Sequence, residues 1–273
     1  IRMESSLGIM FQTVNIYLVP GERLTVIDCG MHLEGNWEDF KQKIKSYGYE
    51  VSDIEQVIIT HEHQDHIGLL PQIMAHSDAV VRMPKMIKRW FENPEKARKA
   101  YMDFSGPFFG TLGFSKERLE QTAKFYERVR TTPKIEDLSR VHFYEEGDFL
   151  RFGNTDWEAL NTPGHAPTQY VFLQKEEKRL FGSDMMLPIT PMPIVTESPN
   201  EKGKPVRALK NLLDSFERLR SYEIETVYPG HGPIFPDANF VINKQISRIE
   251  FRKNECFEAV KSGLKTAFEI KQK

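Results

Sequence analysis

The chain has little cysteine: two residues in 273, Cys29 and Cys256, far apart in sequence. A disulfide framework is thereby excluded, and a reducing cytoplasm is the expected compartment. No apolar run approaches the roughly 20 residues that span a bilayer, and the opening "IRMESSLG" has no apolar segment of secretory type. No membrane partner is therefore expected. A surplus of one charge is also missing, with 37 Lys and Arg against 39 Asp and Glu. Bulk electrostatics argues against a nucleic-acid partner without excluding one. There is no internal repeat, no low-complexity tract and no Met at position 1, so a trimmed chain or tag remnant is expected there. The length suits one large domain, or a domain with a small appendage.

Imidazole, by contrast, is concentrated. "ITHEHQDHIGLL" (59–70) places His61, His63, Asp65 and His66 within six positions, directly after an apolar, β-branched run. Residues two apart in an extended loop point the same way, so His61 and His63 can reach one cation. Asp65 and His66 then fall at a helix start, turned toward a neighbouring position. Imidazole with carboxylate is a ligand set for zinc, iron or manganese, and without thiolates it does not resemble a structural zinc finger. Four groups from one loop cannot complete two coordination shells, so further ligands are expected from other strand ends. "NTPGHAPTQ" supplies His165, "LFGSDMML" Asp184 and "VYPGHGPIF" His231, each after a strand pattern. His32, His76 and His142 have no such setting and read as surface or packing residues. Cys29 reads as a buried strand-end residue with no catalytic role.

Strands and helices alternate around these motifs. "FQTVNIYLV" and "LTVIDCG" read as two strands joined by the turn "PGER". "NWEDFKQKIKSYG" reads as a helix through Trp37, Phe40 and Ile44 that Gly48 ends. "IEQVIIT" is a buried strand, "DHIGLLPQIM" a helix and "AVVRM" a further strand. Residues 85–140 read as a helical insertion interrupted by the Gly- and aromatic-rich "SGPFFGTLGF". Next, "VHFY", "DWEALN", "QYVFLQ" and "KRLFGSD" read as strands, with "EEGDFLRFGN" and "KEEK" as turns. "VRALKNLLDSFERLRSY" has one apolar helical face, Val206, Leu209, Leu212, Leu213, Phe216 and Leu219. A long helix from Asn239 to Gly263 carries Ile242, Ile246, Ile249, Phe257, Val260 and Leu264 in phase. "TAFE" at 266–269 is a capping box that opens a helix just before Lys273, so a natural chain that continues, or a frayed end, is expected.

The ordered series Asp28, His61-x-His63-x-Asp65-His66, His165, Asp184 and His231 resembles the five motifs of the metallo-β-lactamase superfamily over roughly residues 10–240. The resemblance implies an α/β (α+β) fold, a four-layer αββα sandwich of two mixed sheets with outer helices. It implies a catalytic domain over 1–240, with the insertion at about 85–140, and a C-terminal helical extension over 241–273. It assigns His61, His63 and His165 to one metal, Asp65, His66 and His231 to a second, and Asp184 to a bridge between them. The cofactor implied is two Zn2+ per chain, with Fe or Mn also accepted. Asp28 would order the ligand loops, and Asp65 would also help to handle a proton. One departure is Ser183, which in "GSD" stands where the family more commonly has Gly.

Two metals roughly 3.5–4 Å apart can share a water and lower its pKa to near 7. The implied function is therefore a hydrolase in which hydroxide bridging two metals cleaves a thioester, lactone or ester of a small molecule. "TPGH" and "YPGHGP" are similar to the turns of glyoxalase II-like hydrolases. The tail "RIEFRKNECFEAVKSGLKTAFEI" resembles the start of a winged-helix extension found on one such branch, which includes an animal endoribonuclease. A metal-dependent endoribonuclease or phosphodiesterase is thus the alternative, and a mononuclear iron persulfide dioxygenase a further one. The insertion is the expected source of specificity. It is rich in aromatics, among them Trp90, Phe91, Tyr101, Phe114, Phe125 and Tyr126, and residues 85–130 hold 11 basic against 6 acidic side chains. Those features suit a lid over an anionic acyl or aryl substrate, or simply two packed amphipathic helices.

Overall fold

The computed structural model describes residues 1–5, 12–129, 134, 135, 137–188 and 206–272. A short antiparallel ribbon joins β1 (Arg2–Glu4) to β2 (Thr13–Asn15). After Ile16 the chain changes partner, and β3 (Tyr17–Val19) pairs with β4 (Thr25–Ile27) across the expected turn. The stretch expected as one strand is therefore two. The backbone N–H groups of Asn15 and Ile16 are taken by Gly230 O and Ile1 O, both at 2.7 Å, so one ladder cannot run through.

From β4 the sheet grows by parallel neighbours, β5 (Gln56–Ile58), β6 (Val80–Pro84) and β7 (Val141–Tyr144). The crossovers are α1 (Asn36–Ser46), then α2 (Gln64–Ile67) with α3 (Leu70–His76). The insertion follows as α4 (Lys88–Glu92), α5 (Pro94–Thr111) and α6 (Lys116–Val129). A second sheet runs antiparallel through β8 (Phe149–Phe152), β9 (Thr155–Asn161), β10 (Tyr170–Gln174) and β11 (Arg179–Ser183). After α7 (Ala208–Arg220), β12 (Thr226–Pro229) adds parallel to β11. The chain closes with α8 (Ala238–Lys261) and α9 (Ala267–Gln272).

Period-two alternation explains the layering. Val26 and Val57 face an outer core shared with Phe40 and Ile73, whereas Ile27 and Ile58 face the other way, toward Trp157, Phe172 and Phe181. In the second sheet Val171, Leu173 and Leu180 pack with Phe216 and Ile242, while Phe172 and Phe181 point inward. Central strands buried on both faces must be apolar throughout, which is why "VII" and "YVFLQ" lack polar alternation. The result is the four-layer αββα sandwich, with an aromatic middle that includes the Phe152–Trp157 stack at 4.9 Å.

Some expectations from the sequence are corrected. "EEGDFLRFGN" contains β8 rather than only a turn. Gly147 and Gly153, at φ 84° and 58°, form the bends on either side, and Leu150 and Phe152 bury between them. The segment Ser105–Thr111, expected to separate helices, is the end of α5. Pro107 removes one backbone donor, and the Phe104–Phe108 stack at 5.3 Å supports the helix across it. The expected face of α7 shifts: Ala208 and Ser215 are buried, and Leu209 is 45% exposed. Only the first half of α8 packs as expected, with Ile242 buried and Phe257 and Val260 exposed. The capping box does form: Thr266 Oγ1 accepts from Glu269 N at 3.2 Å, and Glu269 Oε2 accepts from Thr266 N at 2.9 Å.

Part of the insertion packs on its neighbours where its side chains are described. Trp90, Phe91 and Tyr101 are buried in the outer core with Met83 and Ile87, and Phe114 rests on Phe268 of α9 at 5.1 Å. The side chains of Phe125 and Tyr126 lie outside the described residues. Several of its lysines form exposed ion pairs, such as Lys88–Glu92 and Lys99–Asp103, which add little stability. Among the described residues no helix is long and apolar enough to cross a membrane.

The helix expected over "DHIGLLPQIM" is broken into α2 and α3 by Gly68 and Leu69. A Cβ on Gly68 would lie 2.3 Å from His32 N and 2.8 Å from Gly30 O, so only glycine lets α2 approach the loop after β4. The Gly68→Ala variant should therefore lose about 1–3 kcal/mol of stability, read as a lower denaturation midpoint. An unchanged midpoint would contradict this close approach.

Candidate metal centre

One edge of the sandwich collects the chemistry, because β4, β5, β11 and β12 all end there. Asp28 follows β4, Thr60 to His63 follow β5, and α2 carries Asp65 and His66. The loop between β9 and β10 carries His165, while Asp184 and His231 follow β11 and β12. His61, Asp65, His66, His165, Asp184 and His231 are buried; His63 is half-buried and marks the side open to solvent.

The seven side chains marked in the sequence come together in overlapping groups. These are His61, His63 and His165; His61, His66 and Asp184; and Asp65, His66 and His231, with donor atoms in each group within 4.8 Å of one another. His63 Nδ1 is 2.8 Å from His165 Nε2. Asp184 lies between the groups, with Oδ2 at 3.4 Å from His165 Nε2 and 3.2 Å from His231 Nε2, and Oδ1 at 3.4 Å from His66 Nε2. His231 Nε2 is also 3.2 Å from Asp65 Oδ2. As expected, His32, His76 and His142 are exposed and stand apart. Cys29 is fully buried beneath the site, and its Sγ–H donates to His66 O at 3.1 Å.

Hydrogen bonds fix how the rings are presented. Asp28 accepts from His66 Nδ1 at 2.7 Å, so that proton lies on Nδ1 and Nε2 faces the cluster. His231 Nδ1 donates to Thr13 O at 2.6 Å, which likewise turns its Nε2 inward. Burial opposes charge on both rings, yet the carboxylates outweigh it. Asp184, Asp28 and Asp65 hold His66 well above the usual imidazole range, and Asp184 and Asp65 push His231 up to about 10. Burial also opposes ionisation of Asp184, but His231 and His66 hold that carboxyl well below its usual range. His61 differs: burial, then His66 and His63, keep it neutral.

This arrangement fits a divalent cation. His61 Nε2 is buried without a hydrogen-bond partner, and leaving such an atom unsatisfied costs about 1–3 kcal/mol. Asp28, Asp65 and Asp184 are each at most 3% exposed, and buried carboxylates need compensating positive charge. A nitrogen and oxygen donor set of this kind accepts Zn, Fe or Mn.

Several supporting residues had not been singled out in the sequence. Asn15 Nδ2 donates to Pro229 O at 2.9 Å and Gly232 O at 2.8 Å, and Tyr17 OH donates to Pro229 O at 2.7 Å. Together they pin the turn that carries His231. A Cβ on Gly230 would lie 2.0 Å from Asp184 Oδ1, so the glycine of "PGH" admits the carboxylate. Tyr144 OH donates to Ile59 O at 2.7 Å, and Thr168 Oγ1 donates to Glu62, tying the His61–His63 loop to the His165 turn. A buried Asn inside the apolar run "VNIYLV" was the available signal for Asn15; the tyrosines offered none.

Residues 10–231 match the family model of the metallo-beta-lactamase superfamily. The chain belongs to that superfamily. It is 27% identical over 261 residues to the probable metallo-hydrolase YqjP of Bacillus subtilis, covering 95% of this chain and 79% of that protein. Shorter matches are to the atrochrysone carboxyl ACP thioesterase AacuM of Aspergillus aculeatus, 25% over 119 residues (44% of this chain), and to a ribonuclease of Thermus thermophilus, 26% over 166 residues (60% of this chain). The matched part spans only 34% and 32% of those two proteins. A metallo-beta-lactamase family protein, also from Thermus thermophilus, superposes with a TM-score of 0.79 at 23% identity, over 99% of this chain and 85% of that one. That likeness speaks for the fold alone. Family membership, with the hydrolases among its relatives, makes this superfamily member a metal-dependent hydrolase.

The His231 shift has a testable sign. Its proton is bound more tightly in the folded metal-free protein, with a pKa of about 10 against an ordinary value of 6.5. Stability from this group is complete below the ordinary value and is lost as pH rises toward 10. Metal-free protein should therefore melt at progressively lower temperature between pH 7 and 10, and added zinc should raise the melting temperature. A melting temperature that rises across this window would contradict the buried imidazolium.

Proposed function

We propose that this superfamily member is a two-metal hydrolase that cleaves a thioester, lactone or ester of a small molecule in a reducing cytoplasm. The observation that carries this reading is Asp184, which lies within 3.4 Å of histidines from both halves of the cluster. His61, His63 and His165 would hold one cation, and Asp65, His66 and His231 the other, with Asp184 contributing to both. A divalent cation so held supplies Lewis acidity, lowering the pKa of water and polarising the oxygen of the bond to be broken. Zinc is the proposed metal, with iron or manganese accepted by the same donors.

The chain's own residues then orient and exclude. Asp28 positions His66 through Nδ1 and the His61 loop through Thr60 N, at 2.7 and 2.9 Å. Asp65, held ionised next to His66 and His231 despite its burial, has a carboxylate able to accept a proton. Substrate approaches on the His63 side, where the cluster is open. Cys29 takes no part, because burial, with Asp28 close by, pushes its thiol well above the ordinary range. Residues 1–240 form the proposed catalytic domain with its insertion, and 241–273 an extension. The contact of Phe268 with Phe114 ties the two together.

The thioesterase relative supports acyl chemistry, and the ribonuclease relative keeps a second reading, a metal-dependent endoribonuclease. Substituting His63→Ala should abolish activity and lower metal content, whereas Cys29→Ala should leave metal content intact. Metal quantification checks both, and equal metal in His63→Ala and wild type would contradict the assignment. Hydrolysis of S-lactoylglutathione, a homoserine lactone and single-stranded RNA, measured on the same metal-quantified protein, decides the substrate. Cleavage of RNA alone would overturn the acyl reading in favour of the second.

A further inference from the structure

Beneath the cluster lies a run of buried polar groups that metal binding by the seven side chains does not itself require. Thr60 is 1% exposed, Asp28 3% and Ser183 4%. Thr60 Oγ1 stands 2.9 and 3.1 Å from the two oxygens of Asp28, 3.0 Å from His61 Nδ1 and 2.8 Å from Ser183 Oγ. We propose that Thr60 and Ser183 form a buried hydroxyl relay through which Asp28 sets the tautomer and ring orientation of His61. The significance of the relay for metal holding rests on the two-metal reading above.

Counting protons fixes the direction of each bond. A hydroxyl has one proton to give and two lone pairs to receive with. Asp28 already accepts from Thr60 N and from His66 Nδ1, and a carboxylate in that role can only accept again. The Thr60 proton therefore goes to Asp28. Both Thr60 lone pairs remain, one for the proton of Ser183 and one for a proton on His61 Nδ1. With that assignment the Thr60 hydroxyl uses its one proton and both lone pairs, and Asp28 accepts from Thr60 N, Thr60 Oγ1 and His66 Nδ1. His61 is left with its lone pair on Nε2, the buried atom that has no hydrogen-bond partner. One carboxylate thus presents two rings, His66 directly and His61 through Thr60.

Ser183 adds an independent observation. Its φ is +42°, a left-handed conformation that glycine adopts freely and that other residues adopt at a cost. A residue that only filled space here would be better as glycine. The hydroxyl gives serine a reason, since it occupies one Thr60 lone pair and prevents the Thr60 proton from turning away from Asp28. Backbone strain retained at a site that a hydrogen-bond network over-determines is a sign of a positioning role.

The test uses the full-length chain, with metal removed by chelation. Imidazole nitrogen NMR reports the His61 tautomer, and competition with a chromophoric chelator reports zinc affinity. Wild type should show His61 as a single species protonated at Nδ1. Thr60→Val should release the second tautomer and weaken zinc binding by about 10–100-fold, and Thr60→Ser should restore both. Ser183→Gly separates positioning from packing. It relieves the backbone, so its melting temperature should hold or rise, while zinc affinity falls by about tenfold. Wild-type affinity and tautomer in Thr60→Val and Ser183→Gly would overturn the relay, as would an Nε2-protonated His61 in wild type. A chain that holds His61 protonated at Nδ1 but takes up no zinc would support the relay and overturn the two-metal reading.

Discussion

Concentrated charge buried at one sheet edge is the constraint on which this structure turns. Asp28, Asp65 and Asp184 are buried at one sheet edge, and each would cost several kcal/mol if left uncompensated. Without metal, protons on His66 and His231 offset part of that charge, while His61 stays neutral with an unused nitrogen. Of the two cations proposed, the one beside His66 and His231 would take the place of those protons and the one beside His61 would satisfy its nitrogen. Metal affinity in this account comes less from any one ligand than from the cost of leaving the cluster as it is.

The rest of the fold is arranged to keep that edge in register. An aromatic layer between the sheets sets their spacing, so that β5, β11 and β12 deliver their loops to the same place. Glycine at 68 lets α2 press on the loop after β4, and glycine at 230 makes room for Asp184. From the far end of the sequence, Asn15 and Tyr17 grip the turn that carries His231. Many of these contacts are backbone carbonyls meeting side chains, which fixes ring direction more tightly than packing alone.

The sequence made the chemistry legible and left its supports largely hidden. Seven side chains that converge at one edge could be named in advance because imidazoles and carboxylates gather in turns after apolar strands, with four of them in the single run H-x-H-x-D-H. The layered sandwich followed from the family resemblance that the ordered motifs carry, and α1 and the capping box at Thr266 followed from local rules. The misjudged elements share a cause. β8 is four residues long between glycine bends, and Leu209 and Phe257 sit on helices whose neighbours are chosen by tertiary packing. Asn15, Thr60 and Ser183 act across the fold, and no local spacing announces a partner more than 100 residues away.

The central claim is that two cations share Asp184. Anomalous diffraction from crystals grown with zinc, collected on both sides of the zinc absorption edge, tests it directly. The account predicts two peaks roughly 3.5–4 Å apart, one beside His61, His63 and His165 and the other beside Asp65, His66 and His231, with Asp184 between them. A single peak, or a pair that Asp184 does not touch, would contradict it.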